Sequence, residues 1–265
     1  MISPLAYVDK EARIGANVTI HPFAYIDKNV EIGDNCTIMP YASILSGTRM
    51  GTDNIIYQGA IIGATPQDFK FKGEDTLLKI GNHNTIREKV ILNRGTNTTD
   101  CTIIGDGNFL LEGVHLAHDT HLGSHCVLGN GAKTAGNCII DDKAILGSEV
   151  IVKHGCRIGS WALLRDGCRA NKDVPPYIVA AHNPISYYGI NALILAKEGH
   201  LTENVIFHNY HSPSISFIIS IKCPKFPLPA NLSIRYQSGK CPAKNQRYYS
   251  SQSGNHLPGR FYRTI

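Results

Sequence analysis

Aliphatic residues return at every sixth position along most of this chain. Val8, Ile14, Ile20, Ile26, Ile32, Ile38, Ile44, Met50, Ile56 and Ile62 keep the beat without a slip. Ile80, Ile86 and Leu92 resume it after one interruption. Ile104 restarts it after a second, and it runs on through Leu110, Leu116, Leu122, Leu128, Thr134, Ile140, Leu146, Val152, Ile158, Leu164 and Ala170. Two positions before each stands a small or compact residue, as at Ala6, Ala12, Val18, Ala24, Val30, Cys36 and Ala42, with Leu78 the exception. Glycine often follows the aliphatic, as at Gly15, Gly33, Gly51, Gly81, Gly105 and Gly123. Such a period fits neither a 3.6-residue helix nor the strict alternation of a simple strand, so the unit is a short strand plus a turn. Three units close a triangular coil of 18 residues, with the aliphatics inside, the small residues where walls crowd, and glycine supplying the backbone freedom of tight corners. Stacked coils pair their strands in parallel, about 4.8 Å apart. The pattern predicts an all-β solenoid, a parallel β-helix, over residues 1–172.

Composition adds limits. At 265 residues and 43% hydrophobic content the chain can bury a sizeable core. The first residues lack the basic start and apolar stretch of a secretory signal, and no apolar run reaches a membrane-spanning length, so the expected compartment is the cytoplasm. None of the eight cysteines forms a CxxC pair. Cys36, Cys126, Cys138, Cys156 and Cys168 occupy the small-residue position, where free cysteine serves as a small hydrophobe. The net charge of +5 divides unevenly: from Asn204 onward there is no Asp or Glu and the bases contribute +8, leaving −3 for residues 1–203. A slightly acidic body gives no support to a nucleic-acid partner.

The two interruptions are where loops leave the wall, and loops on a rigid scaffold tend to carry function. Residues 64–79 contain "TPQDFKFKGEDT" and residues 93–102 contain "NRGTNTTDCT". In order and spacing, "TPQDFKFKGEDT", "IREKVILNRGT" and "LEGVHLAHDTHLG" closely resemble the UDP-N-acetylglucosamine O-acyltransferases that begin lipid A synthesis. "NKDVPPY" and "YYGIN" continue the resemblance to Asn191. The hexapeptide pattern resembles that superfamily's left-handed β-helix. The left hand is what the resemblance implies, since general rules favour right-handed crossovers.

Moving an acyl group from a thioester to a sugar hydroxyl requires a base for the hydroxyl proton and a donor for the thioester oxyanion. Histidine suits the first task near neutral pH. Of twelve histidines, the local pattern offers His115, His118, His121 and His125. The resemblance makes His118 the catalytic base and Asp119 the acid that orients it. Gly136 lies 18 residues after His118, one full coil, so it should stack directly beside it with its backbone N–H open. In the family this amide is the oxyanion donor. By the same resemblance Gln67, Asp68, Lys70 and His115 contact the glucosamine or its phosphates, and Asn191 contacts the nucleotide end. Lys197 stands near the nucleotide in place of an arginine. The resemblance also implies a homotrimer, an (R)-3-hydroxyacyl donor on acyl carrier protein, and no cofactor. A zinc site of the kind held by β-helix carbonic anhydrases is the rival; His115, His118 and His121, three residues apart, fall on different parts of the wall, and no metal is expected.

Several positions depart from the family. Asn137 stands where it has histidine, and Lys153, His154 and Gly155 stand where it reads His-Gln-Phe. Asp166 falls at the wall position that sets acyl-chain length, where an unpaired carboxylate against methylenes would be costly. Two other readings accompany the main one: a sugar-nucleotide N-acyltransferase, and an impaired homologue that only binds the nucleotide sugar. Residues 173–203 are expected to be a connector and the short start of a C-terminal helical region. Residues 204–265 form an atypical basic tail, punctuated by prolines, that departs from the family's helical domain and is expected to be disordered or frame-shifted.

Overall fold

The computed structural model describes residues 1–99, 101–191 and 194. Among these, 27 short strands lie within one compact unit, Met1–Ile190, and form three sheets. Face one runs from Tyr7–Val8 through Ser43–Ile44, Ile61–Ala64, Ile91–Asn93, His115–Leu116 and Lys133–Thr134 to Arg169–Ala170. Face two runs from Arg13–Ile14 through Leu77–Ile80, Cys101–Ile104 and His121–Leu122 to Arg157–Ile158. Face three begins at Thr19–Ile20. Up to Ile178–Ala181 the chain visits the faces in turn, so strands pair in parallel with the strand one coil later, as in Tyr7↔Tyr25 and His115↔Lys133. In the two-residue strands, the first residue points out and the second points in. Ile20, Ile26, Ile38, Ile44, Leu110 and Leu116 are fully buried, as are the compact residues Ala42, Cys36, Val90 and Val114 two positions before an aliphatic.

The interruptions preserve the beat. Ile62 pairs with Leu92 and Leu92 with Leu116, separations of 30 and 24 where an uninterrupted coil has 18. The inserts are therefore 12 and 6 residues, whole multiples of the period. Both leave the wall at the same edge, between Ile61–Ala64 and Leu77–Ile80 and between Ile91–Asn93 and Cys101–Ile104, the corner from face one to face two.

Two expectations change. Except for Gly63, with φ 81°, the recurrent glycines do not serve the left-handed turn; that conformation falls two positions later, at Asn17, Asn35, Asp53, His83 and His125. Gly33 is instead crowded by the next coil, since a Cβ there would lie 2.7 Å from the Gly51 carbonyl oxygen. The wall also outruns residue 172. Val174 bridges to Ile158, Ile178–Ala181 adds a parallel strand to face three, and Ser186–Ile190 pairs antiparallel with it. Within residues 173–203 the expected connector ends on a pleated edge that Tyr187, Tyr188 and Ile190 suit; Ile194, beyond it, is helical, and the rest of the expected helical start lies outside the described residues. Among the described residues no helix is long and apolar enough to cross a membrane. Lys197 and the tail 204–265 lie outside the described residues.

Candidate active site

The strand His115–Leu116 sends Leu116 inward, and the chain then turns the corner to face two. Asp119 adopts the left-handed conformation at that corner, φ 55°, as Asn137 and Gly155 do one and two coils later. Aspartate, asparagine and glycine tolerate this region better than other residues. The turn places the Asp119 carboxylate beside the preceding imidazole: His118 Nδ1 lies 2.8 Å from Asp119 Oδ2, with side-chain exposures of 9% and 3%. With Asp119 ionised, this contact favours the proton on Nδ1, which leaves Nε2 as the bare nitrogen.

The carboxylate is held by the second loop. Thr96 donates its backbone N–H to Asp119 Oδ1 at 2.9 Å and its hydroxyl to Oδ2 at 2.7 Å. The Asp119 amide donates to the buried Thr102 hydroxyl at 2.9 Å. Burial alone would push the Asp119 carboxyl up, but the Thr96 hydroxyl, His118 and the Thr96 amide outweigh it and hold it below the ordinary aspartate range.

The two loops are tied together. Asn93 donates its amide to the Thr65 carbonyl at 2.7 Å, and Arg94 donates Nε to the Thr76 hydroxyl at 3.1 Å while lying over the Phe71 ring. From the first loop Asp68 reaches the far side of the imidazole, its Oδ2 3.8 Å from His118 Nε2, and its Oδ1 accepts the Lys70 amide at 2.8 Å. Gln67 and Lys70 are exposed on the same loop. Opposite, Gly136 stacks against the ring: a Cβ there would lie 2.6 Å from Nε2 and 2.9 Å from Nδ1. The Gly136 N–H donates to no acceptor among the described residues, while its carbonyl accepts Gly155 N–H at 3.1 Å.

His118, Asp119, Gly136 and Asp68 are thus brought together on one edge. His115 faces out of face one between Ile91 and Lys133, its pKa lowered by burial and then by the Lys133 charge. His121 faces out of face two, and among the described residues no group of three or more His, Cys, Asp or Glu could hold a metal ion. Asn191 is buried directly after the last strand. Asp166 is exposed at the corner from face three to face one, where its Oδ1 accepts the Ser148 amide at 2.8 Å. The cost of an unpaired buried carboxylate does not arise there; Asp34, Asp106 and Asp142 cap amides of other corners in the same way. Thr96, Thr102, Asn93 and Arg94 carry the geometry of the site without having been singled out. Their signal was the "NRGTNTTDCT" string itself, which leaves the period beside the base.

The five cysteines at the small-residue position are all buried, and burial pushes the Cys126 thiol up to about 12 and those of Cys138 and Cys168 to about 11. They are packing groups and not nucleophiles.

A buried His–Asp pair beside an open backbone amide, on a coil of six-residue beats, defines a transferase of the hexapeptide-repeat class. Residues 11–40, 29–64 and 101–136 match the bacterial transferase hexapeptide (six repeats) family. The acyl-[acyl-carrier-protein]–UDP-N-acetylglucosamine O-acyltransferase of Janthinobacterium sp. (strain Marseille) is 39% identical over 78% of this chain and 79% of its own length. Among solved structures, the UDP-N-acetylglucosamine acyltransferase of Bacteroides fragilis 9343 is 51% identical, covering 77% of this chain and 79% of that one, with a TM-score of 0.74. The UDP-N-acetylglucosamine O-acyltransferase of Moraxella catarrhalis RH4 is 35% identical over 77% and 79%, with a TM-score of 0.73. The chain belongs to the UDP-N-acetylglucosamine O-acyltransferase family.

Proposed function

We propose that this protein transfers an (R)-3-hydroxyacyl group from acyl carrier protein to the 3-hydroxyl of UDP-N-acetylglucosamine, with His118 as the general base. The observation that carries the reading is the single edge on which the His118–Asp119 pair, the Gly136 amide and both inserted loops converge. His118 Nε2 takes the sugar hydroxyl proton as the oxygen attacks the thioester carbonyl, and Asp119 stabilises the imidazolium through Nδ1–H. The Gly136 N–H donates to the oxyanion of the tetrahedral intermediate. Collapse breaks the carbon–sulfur bond, and the imidazolium returns the proton to the departing thiolate. Gln67, Asp68, Lys70 and His115 are the sugar and phosphate contacts in this reading, with Asn191 and Lys197 toward the nucleotide.

The same reading makes the coil left-handed, the protein a homotrimer and the compartment the cytoplasm, where a charged nucleotide sugar is held. Self-association is supported by the outside of face three, where Phe109, Val127, Ile145, Leu163 and Val179 share one register column. A continuous apolar column of this kind marks a surface that a second copy would cover. Purified protein assayed with hydroxyacyl carrier protein and UDP-N-acetylglucosamine tests the activity, with an aminated sugar nucleotide as the contrasting acceptor. Turnover on the hydroxyl acceptor, lowered about 10² to 10⁴-fold by His118→Ala with folding intact, is expected. Preference for the amine, or wild-type turnover by His118→Ala, contradicts it.

A further inference from the structure

His118 is flanked by two carboxylates that favour opposite tautomers. Asp119 Oδ2 at 2.8 Å from Nδ1 favours a proton on Nδ1 and leaves Nε2 free to act as a base. Asp68 Oδ2 at 3.8 Å from Nε2 draws the proton to the nitrogen that must be bare. Among the described residues these are the acidic groups within ion-pair range of the ring. The contest depends on how firmly each carboxylate is held. Asp68 sits on an inserted loop and is half-buried, with its other oxygen on the Lys70 amide. Asp119 is buried and receives two donors from one residue, the Thr96 N–H on Oδ1 and the Thr96 hydroxyl on Oδ2, the oxygen that also faces the imidazole. Two donors on two oxygens fix the rotation of a carboxylate about its Cβ–Cγ bond; one donor leaves it free to turn.

We propose that Thr96 is a positioning residue that selects the reactive tautomer of His118 by fixing the Asp119 carboxylate through its hydroxyl and its amide. The proposal rests on His118 being the base, and it goes beyond that assignment by adding a third member to the His–Asp pair from a loop outside the repeat. Thr96→Val keeps the backbone donor and the side-chain volume and removes the hydroxyl. It should lower kcat about tenfold, the size of effect that a lost hydrogen bond to a charged group supports, with little change in KM for UDP-N-acetylglucosamine. Thr96→Ser returns the hydroxyl and should restore kcat.

The deciding readout needs no substrate. Imidazole ¹⁵N spectra of the full-length protein should show His118 protonated on Nδ1 in the wild type and in Thr96→Ser, and a mixture with the Nε2–H form in Thr96→Val. Thr96→Ala is measured alongside, so that a packing fault peculiar to valine cannot decide the result. Replacing Asp68 by asparagine in the Thr96→Val background removes the competing pull and should return the Nδ1–H form. A wild-type tautomer in both Thr96→Val and Thr96→Ala overturns the proposal whatever their kcat, as does a loss of kcat that serine fails to restore. Should the wild-type protein transfer no acyl group to UDP-N-acetylglucosamine, the substrate reading fails by itself, and the spectra still decide the part of Thr96.

Discussion

Asp119 couples the chemistry of the edge to its stability. Its carboxyl lies below the ordinary 3.8 because three donors outweigh the effect of burial. A carboxyl depressed in the native state stabilises the fold above its unfolded-chain pKa, and that stability is lost as pH falls through the native value. Asp119→Asn should therefore melt below wild type at pH 7, and the difference in Tm should shrink as pH falls below about 3.8. Thermal unfolding from pH 7 to pH 3 measures it; a difference constant to pH 3 would count against a native-state shift. Gly136 makes a separate demand. It is not in the left-handed region, so the backbone there accepts alanine, yet the added Cβ would lie 2.6 Å from His118 Nε2. Gly136→Ala should fold with a Tm near wild type and lose about 10²-fold in kcat, since the ring must leave its place. Turnover near the wild-type rate would show that the ring has room to spare.

The corner from face one to face two is the element that turns a repetitive wall into a site. Its inserts of 12 and 6 residues leave the register of the later coils intact, so the loops can be treated as additions to a continuous solenoid. Removing residues 65–76 would place Ile80 six positions after Ile62 and Leu92 eighteen after it. The shortened chain should keep its strand signature in circular dichroism and its cooperative melt, while losing turnover with Gln67, Asp68 and Lys70. Failure to fold would mean that the loop carries part of the core. The repeat was legible because a six-residue period constrains every inward position, and the stacking of Gly136 on His118 followed from counting one coil. The grip of Thr96 on Asp119 and the tie between Arg94 and Thr76 were not, because a loop that has left the period obeys no spacing rule. The strand Ser186–Ile190 was not legible for a related reason: beyond the last beat no period marks where a connector pairs with the wall, and the open edge of face three decides it.

Over the compact unit as a whole, each coil presents the next with the same row of parallel hydrogen-bonding groups, about 4.8 Å further along. Nothing in such an arrangement sets its own length. At the start, Met1 folds its amino group onto the Val18 carbonyl at 2.6 Å and Ile2 bridges to Ile20, covering the first strand of face three. At the far end the parallel order stops at Ile178–Ala181, because Ser186–Ile190 returns in the opposite direction. That reversal acts as a growth poison does on a crystal: the layer it adds is one on which no further copy of the same layer can be laid in register. A chain ending after Asn191 keeps this layer, whereas one ending after Asn183 exposes the raw edge of the preceding strand. The shorter chain should lengthen into end-to-end assemblies with rising concentration, seen by light scattering, while the longer one should not. On face three, the strand that looks like an afterthought to the repeat is what ends the parallel ladder.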